Sequence, residues 1–88
     1  MELEEMLNKK IEEAKKDNES KWLDFEEEST STIVFALQKI GYNLISMKSE
    51  PYSDYKENSY FFMNIKESNK DVLKLFDDGE DYRTIEWL

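Results

Sequence analysis

The side chains of this sequence that can do chemistry are nearly all carboxylates: 21 Asp and Glu stand against 12 Lys and Arg, with no histidine and no cysteine. Carboxylates alone support two kinds of chemistry, an acid and base pair like that of glycosidases, or a cage of oxygens around a hard cation. The missing thiol and imidazole remove disulfides, thiolate nucleophiles, the usual zinc sites and the Ser-His and Cys-His catalytic pairs. A carboxylate pair also needs a cleft. A chain of 88 residues with two glycines offers little material for one, and none of the usual phosphate-loop patterns occurs. The expectation is a protein that is not an enzyme and holds no cofactor and no metal.

The densest acidic cluster, Asp77-Asp78-Gly79-Glu80-Asp81, is tested against calcium by its spacing. With Gly79 as the sixth residue of an EF-hand loop, the first would be Lys74, which cannot ligate a cation. A helix end followed by a turn accounts for the glycine and the acids. Direct nucleic-acid binding is also not expected, since a chain of net charge −9 with one arginine lacks the basic footprint that phosphates require.

The acids are unevenly spread. Residues 1–28 carry 11 acids and 5 bases, net −6, whereas residues 29–49 carry Lys39 and Lys48 and no acid. Residues 50–68 are net −2 and residues 69–88 net −3, which completes the −9. A charge run of this kind has two readings. It is either a solvated face, or an anionic surface that imitates a phosphate backbone before a protein groove lined with Lys and Arg.

These residues must be positioned by a small fold. Leu3, Met6, Leu7, Ile11 and Ala14 recur at helical spacing and predict a helix from about Leu3 to Lys16. Trp22 and Phe25 either continue that helix to about Glu28 or belong to a second one capped by Ser20. Ser29-Thr30-Ser31-Thr32 offers an N-cap for a helix from Thr30 to Ile40, apolar nearly all round, ended by Gly41 and expected to be the central core element. Tyr42–Ser49 and Ser59–Lys66 read as an antiparallel strand pair joined by a projecting loop over 50–58. Ser68 is expected to cap a short helix through Asp71–Phe76, and Tyr82–Leu88 reads as a last strand. The fold class is therefore α+β in the order α-α-β-β-α-β, with a three-stranded mixed sheet and helices packed on one face. One domain is expected, an acidic helical segment over 1–28 joined to a core over 29–88. Aromatic residues at 14% and apolar residues at 39% support a packed globule.

No basic region leading into an apolar run opens the sequence, and no stretch nears the roughly 18 apolar residues of a membrane span, so a cytoplasmic protein is expected. In profile, being small, acidic and free of Cys and His, the chain resembles phage-encoded inhibitors of host defence such as anti-CRISPR and anti-restriction proteins. The resemblance covers no motif. It implies an inhibitor that binds a basic, nucleic-acid-handling protein surface, a DNA mimic in function. The residues expected to make that contact are Glu12, Glu13, Asp17, Glu19, Glu26, Glu27 and Glu28, with Asp77, Asp78, Glu80 and Asp81 as a second patch. Tyr52 and Tyr55, in the projecting loop, are expected anchors. The alternative is an antitoxin, immunity or regulatory subunit working through apolar contacts, including a homodimer through Leu7, Ile11 and Ala14.

Overall fold

The structure, a computed structural model, describes residues 2–24, 28–51, 55–64, 71–80 and 82–88. Helix α1 (Leu3–Asp17) is followed by a two-residue strand β1 (Lys21–Trp22), helix α2 (Thr30–Lys39) and four strands: β2 (Tyr42–Pro51), β3 (Lys56–Asn64), β4 (Val72–Asp77) and β5 (Arg83–Trp87). All pairings are antiparallel, in the sheet order β1-β5-β4-β3-β2.

Local chemistry sets the ends of the elements. Asn18 stops α1 in the left-handed region, at φ 53°, a conformation that asparagine tolerates better than most residues. Ser29 caps α2, its hydroxyl accepting from the Thr32 N–H at 3.2 Å. Gly41 follows α2 at φ +107°, where a side chain would be strained. Gly79, at φ +86°, turns the chain between β4 and β5; a Cβ there would lie 2.7 Å from the Lys56 carbonyl oxygen, so this turn can seat against the start of β3 only with glycine.

The helices lie on one face of the sheet. Leu7 and Ile11 of α1 and Ile33, Ala36 and Leu37 of α2 meet Phe62, Leu73, Leu75 and Ile85 in one core cluster, joined by Leu23 and Tyr42. Side chains of this size each contribute roughly 1.5–3 kcal/mol on full burial, which makes this layer the main source of stability. The other face shows Trp22 of β1, Phe61 and Met63 of β3, Val72 and Phe76 of β4, and Tyr82, half-buried or exposed. Among the described residues no helix covers it.

Several expectations are corrected. The sheet has five strands, not three, and is antiparallel rather than mixed. Residues 72–77 are strand β4 rather than a helix, and Ser68, its expected cap, lies outside the described residues. Their burial alternates strictly, with Leu73, Leu75 and Asp77 inward, because β3 and β5 pair on both sides and hold the segment extended. Lys21 and Trp22 pair with Ile85 and Thr84, so neither a continued α1 nor a helix capped by Ser20 spans them. The loop expected over 50–58 is shorter, since Glu50 pairs with Glu57 and Pro51 with Lys56. Among the described residues no helix is long and apolar enough to cross a membrane.

Candidate functional site

Between the start of α1 and the exposed side of α2 runs an open groove of about 530 Å³, lined by Leu3, Glu4, Glu28, Thr32, Phe35, Ala36 and Lys39. It forms because the apolar stripe of α2 is narrower than its composition suggests. Ile33, Ala36, Leu37 and Ile40 share the face turned to the core, as their spacings of three and four require. Phe35 falls off that face and is 65% exposed, so this helix, apolar nearly all round and expected as the central core element, gives only one face to the core. Across the groove Leu3 is half-buried, and Lys39 reaches Glu4 at 3.7 Å, a loose pair at the surface. The result is an apolar floor and an aromatic wall, with two carboxylates and one ammonium at the rim.

The acids singled out from the sequence have different fates. Glu12 is exposed on α1, and Glu13 is held 3.7 Å from Lys10. Asp17 and Glu19 both bind the Lys21 ammonium, at 2.6 and 3.0 Å, and the hydrogen bond and charge of Lys21 lower the Asp17 pKa. Glu28 lines the groove, while Glu26, Glu27, Tyr52 and Asp81 lie outside the described residues.

In the second patch, Asp77 is buried and accepts from the Thr30 hydroxyl at 2.8 Å and the Gly79 N–H at 2.9 Å. Asp78 accepts from the N–H groups of Glu80 and Tyr82. Both carboxylates therefore shape the β4–β5 turn, and Asp77 also ties it to Thr30 of α2. Tyr55, 43% exposed, lines a hollow of about 160 Å³ with Glu57, Asp78 and Glu80. Among the described residues no group of three or more Asp, Glu, His or Cys is placed to hold a metal ion.

Two features escaped the sequence reading. One is Phe35, which helical spacing alone sets apart from the stripe. The other is Asp71, a buried carboxylate that accepts from the Lys15 ammonium at 2.9 Å, the Tyr42 hydroxyl at 2.8 Å and the Trp87 indole N–H at 2.9 Å. It ties α1, the start of β2 and the end of β5 to one point. Burial, reinforced by the Asp71 carboxylate, pushes the Tyr42 phenol up to about 12. Burial alone would lower the Lys15 pKa, but hydrogen bonds and charge from Asp71 and Tyr42 together raise it. A single acid beside the apolar run Val72-Leu73 was the available signal. Its three hydrogen bonds join segments distant in the sequence, so Asp71 acts as a clamp.

Leu7, Ile11 and Ala14, the residues of the alternative homodimer, are buried within the chain and are not offered to a second copy. They are 0%, 1% and 0% exposed, with Leu7 and Ile11 in the core cluster beside the sheet and α2. No protein-family model, no curated protein and no solved structure matches the chain.

Proposed function

We propose that this chain is a non-catalytic protein-binding domain that takes a basic amphipathic segment of another protein into the groove between α1 and α2. The observation that supports this reading most directly is Phe35, an aromatic ring exposed on a helix, standing beside Leu3 and Ala36 with Glu4 and Glu28 at the rim. Helix-in-groove recognition works through such apolar anchors, with charge at the edge setting orientation and association rate. The acidic segment over residues 1–28, net −6, keeps its part as what attracts a basic partner. The contact centre moves from the carboxylates to the aromatic wall, because Asp17, Glu19, Asp77 and Asp78 are engaged within the chain. Where the captured segment belongs to a nucleic-acid-handling surface, its occupation blocks that surface. Inhibition is then a consequence of binding.

The test is a titration of isotope-labelled protein with a synthetic helical peptide of leucine and lysine, followed residue by residue by NMR. Shifts centred on Leu3, Phe35 and Ala36 are expected, with binding about tenfold weaker in Phe35→Ser and a slower association in Glu28→Lys. Shifts confined to the open sheet face around Phe61 and Phe76, or none at all, would overturn the reading.

A further inference from the structure

The two edges of the sheet are not alike. β1 ends it with two residues, too short a template for another strand, whereas β2 ends it with ten. Every β2 residue after Tyr42 is exposed, including Leu44, Ile45 and Met47. β2 pairs with β3 along its whole length, and its outer edge joins no strand of the described chain. Two devices limit that edge. The register shifts between Leu44 and Ser46, leaving Ile45 as a bulge, and Pro51, which has no N–H to give, closes the other end. The regular stretch between them is Ser46-Met47-Lys48-Ser49-Glu50.

We infer that this stretch is the interface of an antiparallel homodimer, in which β2 of one copy pairs with β2 of a second and the two sheets become continuous. The occupant follows from charge. Two chains of net charge −9 repel one another over most of their surfaces, but residues 29–49 hold no acid, and β2 itself is neutral, with Lys48 balanced by Glu50.

The order of those two charges is self-complementary. Pairing about Ser49 sets Lys48 opposite Glu50 of the second copy on both sides of the two-fold axis, and Met47 opposite Pro51. Pairing about Lys48 would instead set lysine against lysine. Lys48 already lies 3.1 Å from Glu50 along its own strand, so the favoured register builds a square of alternating charges. That square also offsets the like-charge opposition of Glu50 and Glu57 across β2 and β3. An edge contact of this length falls below the roughly 1,000 Å² that stable interfaces clear, so the dimer is concentration-dependent. It leaves the α1–α2 groove open and does not depend on what that groove binds.

Sedimentation equilibrium across concentration, with covalent trapping, tests the inference. Lys48→Glu and Glu50→Lys should each weaken dimerisation about tenfold, and the double exchange Lys48→Glu/Glu50→Lys should restore it, since it rebuilds the same pairs with their signs reversed. The chain has no native cysteine. Ser49→Cys should therefore oxidise to a covalent dimer, its partner lying about 5 Å away, and Glu12→Cys on α1 should not. All four positions are exposed, so unchanged thermal midpoints confirm the fold of each variant. A chain that stays monomeric at every concentration, a double exchange that fails to restore association, or equal trapping of the two cysteine variants would overturn the proposal.

Discussion

In β4, Leu73 and Leu75 are fully buried; in β2, Leu44, Ile45 and Met47 are 40–55% exposed, although both strands lie in one sheet and carry side chains of similar size and hydropathy. The difference comes from what stands over each strand. β4 runs through the middle of the sheet, between β3 and β5, under the side chains of α1 and α2. β2 lies at the edge, and its contact with the core cluster is made through Tyr42 at its start. Apolar sequence thus supplies stability in one strand and an accessible surface in the other. A residue's hydropathy does not say which.

The contrast can be broken by making one change in both places. Leu75→Ala should cost about 3 kcal/mol in urea unfolding, as large-to-small changes in a packed core do, while Leu44→Ala should stay within about 0.5 kcal/mol. Equal losses would mean that β2 is as well covered as β4.

A smaller effect, about 2 kcal/mol, is expected from Asp71→Ala. It leaves the buried Tyr42 hydroxyl and the half-buried Trp87 N–H without their acceptor, while Lys15 keeps access to water. Burial of Tyr42, reinforced by Asp71, also makes stability depend on alkaline pH. The Tyr42 phenol ordinarily ionises near 10 and is held neutral up to about 12 in the folded chain. A raised folded value contributes stability that is complete below pH 10 and is lost as pH rises from 10 toward 12. The raised Lys15 value acts in the same direction. Urea unfolding at pH 9 and pH 11.5 should show a fall in the native chain that is reduced in Tyr42→Phe. An identical fall in both would remove Tyr42 from the clamp.

Much of the helical layer was legible because its signals are local. The stripe of α1, the Ser29 cap and Gly41 are each a matter of residues within one or two turns, and α1 and α2 stand within a residue of their expected bounds. β4 was misread for an equally physical reason. Val72 and Phe76 look onto the open face while Leu73 and Leu75 look into the core, so both faces are apolar and the period-two alternation is masked. β1 had no readable signal, because a two-residue strand exists only through its partners Thr84 and Ile85, some sixty positions away.

For the candidate site, Glu28 was named from charge, and Phe35 was assigned to the core with its neighbours. The acids at 17, 19, 77 and 78 were identified as a surface, but their hydrogen bonds within the chain were not visible without the fold.

The sequence by itself determined the chemistry available to this protein and its broad class. Composition and local spacing are properties of the chain alone, so the lack of imidazole and thiol, the uneven acidity, the stripe of α1 and the α+β class were readable from them. Tertiary structure decided which carboxylates are bound up within the chain, which aromatic ring forms a wall, and which strand is left at the edge. Those outcomes depend on neighbours brought together from distant positions, as Asp71 meets Lys15 and Thr30 meets Asp77, and no local pattern encodes the distance between them.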